Sequence, residues 1–168
     1  MRAFAWIGVI AGSLILGSGW LITADDATAE EQVAQERRTS MANAENERIV
    51  TDFCNAWSRL DADELADYFT PDGIWHNIPQ EPSQGREVIR ERLKSTRQRV
   101  KEFRIEILHQ VSSGNVVMNE RIDYIVRESG QVAVPVMGIF ELENGKIKAW
   151  REYYDRNMAQ GKPSAPAR

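Results

Sequence analysis

Three residues of one short stretch, Asn119, Arg121 and Asp123, have the types and spacing to do acid–base chemistry. Successive side chains in a strand point to opposite faces, so these three share a face, and Met118, Ile122 and Tyr124 share the other. A second stretch, Trp150-Arg151-Glu152-Tyr153-Tyr154-Asp155, sets Glu152 on one face between Trp150 and Tyr154. A carboxylate among such rings is costly to ionise without a partner, and Arg121 is the obvious one. A Glu152–Arg121–Asp123 row would keep one carboxyl protonated and the other ionised, with a guanidinium fixed between them. Asn77 can add an amide that holds a water. Two plainer readings stand beside this one. The charged face could be exposed, its Arg–Asp pair then worth about 0–1 kcal/mol, or the row could be a structural ion-pair network.

Composition removes several other kinds of function. The formal net charge is -4 and the body of the chain has no basic stripe, which argues against nucleic acid as a partner. Cys54 is the one cysteine, so no internal disulfide can form, and its place on an apolar stripe suits a small core residue better than a nucleophile. His76 and His109 lie far apart in sequence, and no metal site is suggested. There is no glycine-rich phosphate loop, Gly-x-Ser-x-Gly elbow or His-Glu-x-x-His pattern.

The elements that must position the row begin after an apolar leader. Ala3 to Ala24 contain no charge, with Arg2 before them and Asp25, Asp26, Glu30 and Glu31 after. As a helix this run would be about 33 Å long, near the thickness of a bilayer's hydrocarbon core. Residues 1–29 are expected to be a signal peptide, cleaved near Ala27-Thr28-Ala29, or a membrane anchor. Either way the domain is expected outside the cytoplasm, meeting the membrane only through this segment if it is uncleaved. Residues 30–46 read as a polar linker, in part helical. The folded domain is expected over 47–157, and 158–168, rich in Gly, Pro, Ser and Ala, as a disordered tail.

Within the domain Ile49, Val50, Phe53, Cys54, Trp57 and Leu60 recur at helical spacing. A short helix capped by Asp61 or Asp63 follows. Thr70-Pro71-Asp72-Gly73 reads as a turn, and 74–78 as a short strand on which Trp75 and Asn77 share a face. Residues 86–98 read as a helix with Val88, Ile89 and Leu93 inward and its arginines on a solvated side. Strands then follow over 103–111, 116–127, 131–142 and 146–155. Pro135 suggests an edge or a bulge, and Asn144-Gly145 a hairpin. Helices followed by a run of antiparallel strands mean α+β, a curved sheet wrapped by amino-terminal helices around a conical pocket.

Trp75-His76-Asn77-Ile78-Pro79, Asn119-Glu120-Arg121-Ile122-Asp123, Gly145-Lys146-Ile147 and the Trp150–Asp155 stretch together resemble the limonene-epoxide hydrolase family. The resemblance runs from about Glu47 to Asp155. It implies the cone-shaped fold shared with ketosteroid isomerase and nuclear transport factor 2. It further implies cofactor-free, one-step hydration of an epoxide to a vicinal diol, commonly by a homodimer. Carried over by position, Asp123 is the general acid, Arg121 the bridge, Glu152 the base, and Asn77 the amide that holds the water. Glu152 stands where the family has Asp, and Trp75 stands where it has Tyr; Trp75 is expected to donate to the water. Strand alternation makes Phe103, Ile105, Ile125, Val134, Val136, Trp150 and Tyr154 the pocket wall, with Trp57 from the first helix. A wall of that kind suits a small, apolar, terpene- or lipid-like epoxide. An isomerase or cyclase using the same row, and a non-catalytic apolar-ligand-binding domain, are the alternatives.

Overall fold

The computed structural model describes residues 24–162, with side chains from Thr28 onward. Residues 1–23 of the expected signal peptide or membrane anchor, and residues 163–168 of the expected tail, lie outside the described residues. The chain divides into two compact units, 1–35 and 36–168. What is described of the first is helical and mostly exposed. Among the described residues, no helix is long and apolar enough to cross a membrane.

Helix α1 runs over Ala24–Ala56 and takes in all of 30–46, which the sequence suggested as a linker. That stretch has no apolar stripe, but its Ala, Glu, Gln and Arg residues form helix well on their own. Ion pairs such as Arg48 with Glu45 and Asp52, both at 2.7 Å, add a few tenths of a kcal/mol each. Burial begins only at Ile49 and continues through Val50, Phe53, Cys54 and Ala56. A 3-10 turn at Trp57–Arg59 leads to α2, Ala62–Asp67, whose cap is Asp61: its carboxylate accepts from the amides of Asp63 and Glu64.

Strand β1, Phe69–Asn77, starts earlier than the sequence suggests, because Pro71-Asp72-Gly73 forms an irregularity inside it and not a turn before it. A Cβ on Gly73 would stand 3.1 Å from Thr70 O and 3.2 Å from Ile147 O, so this close approach needs glycine. The short β2, Ser83–Gln84, pairs with β1 and leads into α3, Arg86–Arg99. On α3 only Ile89 and Leu93 are buried; Val88 is 54% exposed, correcting its inward assignment.

The remaining strands are β3 (Glu102–Ser113), β4 (Val116–Arg127), β5 (Gly130–Glu143) and β6 (Lys146–Tyr154), followed by the short α4, Arg156–Ala159. They form one open sheet in the order β2-β1-β6-β5-β4-β3. All pairings are antiparallel except β1 with β6. This is the expected α+β architecture. Register shifts in the β1–β6, β3–β4 and β5–β6 pairs bend and twist the strands, giving the sheet a concave face. Pro135 sits one residue past the last β5–β6 pair, where β5 has lost that neighbour.

Alternation decides which side chains meet on the concave face. On β5, Val134, Val136, Gly138, Phe140 and Leu142 are buried, and the residues between them are exposed or half-buried. Phe53 of α1 packs edge-on against Phe69, Phe140 and Trp150, tying the helix to the sheet.

Candidate active site

Four polar residues are buried beside one another on this concave face: Asn119, Arg121 and Asp123 of β4 and Glu152 of β6. Arg121 has no exposed side-chain surface. Its Nε donates to Asp123 Oδ1 at 2.9 Å, its Nη1 to Asn119 Oδ1 at 3.1 Å, and its Nη2 to Glu152 Oε1. One guanidinium therefore bridges two carboxylates on strands that are not neighbours, since β5 runs between them.

Gly138 makes that crossing possible. It is paired with Asn119 on one side and with Glu152 on the other. A Cβ there would collide with Arg121 Nη1 and stand 2.7 Å from Asn119 Oδ1. The guanidinium thus lies over bare backbone. The sequence reasoning missed this residue, although a glycine at an inward position of the Val134-Val136-Gly138-Phe140 series was a readable signal. Gly138→Ala is expected to displace Arg121 and to cost about 1–3 kcal/mol of stability by overpacking. Activity should fall further than that loss explains, as shown by kcat on folded protein well below its melting temperature.

The hydrogen bonds divide the two carboxyls by role. Glu152 receives a donor on each oxygen, Arg121 on Oε1 and the indole N–H of Trp75 on Oε2 at 2.7 Å, and both favour its ionised form. Asp123 receives Arg121 on Oδ1 alone, which leaves Oδ2 free to carry a proton. Burial pushes both carboxyls up: Asp123 lies above its ordinary range, and Glu152 rises to about 7. The positive charge of Arg121 opposes both shifts, and Asp123 adds to that of Glu152. A row that holds one proton near neutral pH follows from this, with Asp123 the better site for it.

Trp75 differs from its expected role, because its N–H binds the Glu152 carboxylate directly and not an intervening water. Its ring stacks on Trp150 with centroids 5.2 Å apart, and Trp150 stacks on Phe140 at 5.6 Å. Asn77 is paired with Glu152 across the β1–β6 register. Asn77 Nδ2 donates to Tyr154 Oη at 3.2 Å, and Gln80 Nε2 does the same. Asn77 Oδ1 is buried without a protein donor. Cys54 packs under the row, 3.9 Å from Asn119 Nδ2, and burial raises its thiol to about 12, so it is an inert core residue.

The carboxylates open onto a cavity of about 250 Å3, a little below the usual range for a ligand site. Trp57, Phe103, Ile125, Val134, Val136, Trp150 and Tyr154 line it as expected from alternation. Ile105 does not; it is buried in the core against its neighbours. The wall is also less apolar than expected, for Gln80, Arg92, Thr96, Arg99 and Arg127 belong to it. Two of these arginines come from the face of α3 that the sequence suggested was solvated.

A curved, open α+β sheet with an acid–arginine–acid row on its concave face defines a class of small pocket-forming proteins. The family model for the SnoaL-like domain matches residues 50–150, more than half of the 168, and the chain belongs to that family. Within it the chain is similar to proteins of the limonene-epoxide hydrolase type. It is 29% identical over 103 residues to epoxide hydrolase EphG of Mycobacterium tuberculosis, covering 61% of this chain and 68% of that one. Among solved structures, a limonene-epoxide hydrolase-like epoxide hydrolase of M. tuberculosis matches with TM-score 0.64 and 28% identity, over 71% of this chain and 90% of that one. SalBIII, an epoxide hydrolase/cyclase-like enzyme of pyran ring formation in salinomycin, matches with TM-score 0.61 and 20% identity, over 67% and 92%; it shows the fold.

Proposed function

We propose that the chain is a cofactor-independent epoxide hydrolase that adds water to an epoxide in one step and releases a vicinal diol. The observation that carries the reading is the pair of buried carboxyls bridged by one buried arginine on the wall of a cavity. Relatives named as epoxide hydrolases support it. A water held between Asn77 Oδ1 and Glu152 would lose a proton to Glu152 as its oxygen attacks an epoxide carbon. The carbon–oxygen bond of the ring breaks, and Asp123 gives its proton to the departing oxygen. Return of the proton from Glu152 to Asp123 through solvent restores the row. The aromatic and aliphatic walls suit a small substrate with an apolar body.

Positioning explains why Arg121 serves both ends. It holds the two carboxyls at fixed places and steadies the ionised Glu152 before attack, and Asp123 as it becomes charged. The same row would close a ring if a hydroxyl of the substrate replaced the water, and the likeness of the fold to SalBIII favours that as the second reading. A panel of small epoxides in ¹⁸O-labelled water separates the two. Hydration puts one labelled oxygen in a diol, whereas cyclisation takes up none. Asp123→Asn is expected to lower turnover by ~10²–10⁴-fold. Turnover of the epoxides at the wild-type rate in folded Asp123→Asn would remove the row from the chemistry.

A homodimer through the outer face of the sheet is part of this proposal. Leu108, Val111, Met118, Met137 and Tyr153 are exposed there, on β3 to β6. Sedimentation equilibrium should give twice the chain mass, and Met118→Lys with Met137→Lys should halve it. A monomer at all concentrations would end the dimer reading. Export, or anchoring through residues 1–29, is likewise proposed, and intact mass from the native host distinguishes a cleaved chain from a whole one.

A further inference from the structure

The cavity has a second polar end, built from guanidiniums that the acid–base row does not use. Arg92, Thr96 and Arg99 recur at spacings of four and three on α3, so they fall on one helical face. That face lines the cavity. Arg127 lines it from the sheet, two inward positions beyond Asp123 on β4. Four strand residues span about 13 Å, which sets the distance along β4 between the reacting end and Arg127.

None of these three arginines has a carboxylate within ion-pair distance among the described residues. Arg92 donates to Ser83 Oγ at 3.0 Å and lies 4.0 Å over the ring of Trp75. Arg99 donates to Ser95 Oγ, and Arg127 to Ala159 O at 3.0 Å. By contrast Arg90, on the side of the same helix that meets α2, pairs with Asp63, Asp67 and Glu87. The charges at the cavity instead face one another. Burial lowers Arg92 and Arg127 from their ordinary values, and the charge of Arg99 lowers both further, while Glu152 steadies Arg92 from the deep end. Partly dehydrated like charges facing a common space are stabilised by an anion placed between them.

We propose that Arg99 and Arg127, with Arg92 deeper in, bind a carboxylate at the far end of the substrate, so that the hydrolase acts on epoxy carboxylic acids. Planar guanidinium forks match a carboxylate. A phosphate is less suited, because no glycine is among the lining residues to form a cradle of backbone N–H groups. The apolar middle of the cavity, Phe103, Ile125, Val134 and Val136, then takes the hydrocarbon between the two ends. This inference rests on the hydrolase reading for the reaction but not for the binding.

The test compares a medium-chain epoxy carboxylate, its epoxide at the far end, with its methyl ester. The saturated carboxylate and its ester are measured in parallel by quenching of tryptophan fluorescence. The acid should have a kcat/KM ~10–100-fold above the ester, a preference that added salt weakens. Arg99→Gln with Arg127→Gln should cut the acid-to-ester ratio ~10-fold or more, chiefly through KM. Both side chains are at least partly exposed, so a melting curve can verify that the variant is folded. Equal rates for acid and ester in the wild type would overturn the inference and leave the hydrolase reading standing. If the saturated carboxylate binds through Arg99 and Arg127 but no epoxide turns over, the hydrolase reading fails and the anion site stands. If the saturated carboxylate binds no better than its ester, the anion site fails whatever the kinetics.

Discussion

Glu152→Gln is expected to reduce hydration by ~10²–10⁴-fold or more, because the variant keeps the size and one of the two accepted hydrogen bonds but loses the proton acceptor. The amide oxygen can accept from Arg121 or from Trp75 but not from both, so a melting curve accompanies the kinetics to show that the variant is folded. Single turnover of wild type in ¹⁸O-water should label the diol and not the protein. Label in a Glu152-containing peptide would instead identify an ester on the enzyme and a two-step reaction. The same variant has a signature in stability. With its folded value raised from 4.5 to about 7, Glu152 keeps its proton in the native state over a range in which the unfolded chain has lost it. The native state then binds more protons than the unfolded one. Stability contributed by the protonated carboxyl is therefore present below pH 4.5 and lost as pH rises toward 7. The surface carboxylates that are shifted, such as Glu64 and Asp72, are lowered, so their contributions fall at lower pH and leave this window to the buried pair. Melting temperature should drop across that window in wild type and drop less in Glu152→Gln. An equal pH dependence in both would place the titration elsewhere.

Arg121→Leu should have the largest effect on folding. It leaves Asp123 and Glu152 buried without their shared counter-charge, and breaking such a pair from one side costs about 3–5 kcal/mol. The loss has a direction in pH. Without the guanidinium both carboxyls rise further, so the variant should recover part of its stability in acid, where both are neutral. Denaturant unfolding at neutral and at acid pH measures this. A variant as stable as wild type at neutral pH would mean that the row is hydrated and that Arg121 is not an internal bridge. Activity should be negligible even in acid, since two neutral carboxyls provide no base for the water.

The candidate row was legible in the sequence because strands have a period of two. Once Asn119, Arg121 and Asp123 were assigned to one strand, their common face followed, and Glu152 beside Trp150 and Tyr154 needed a cation that only another strand could supply. The fold class was legible for the same kind of reason. Helical spacing around Phe53 and Trp57, followed by alternating strands with Gly and Asn turns, leaves few architectures that can bury both patterns. The helix at 30–46 was harder to read, since an apolar stripe is not what holds it.

Only the tertiary structure decided how the row is assembled. That Arg121 reaches across β5 depends on Gly138 lying between Asn119 and Glu152, a register between three strands that no local spacing encodes. The direct bond from Trp75 to Glu152 likewise depends on the parallel pairing of β1 with β6, two elements far apart in sequence. The arginines of α3 show the same limit from the other side. Periodicity tells which residues share a helical face, but only docking of the helix tells what that face meets. On α3 the face that carries Arg92 and Arg99 meets the cavity, and a run that looked like solvated charge became its polar wall.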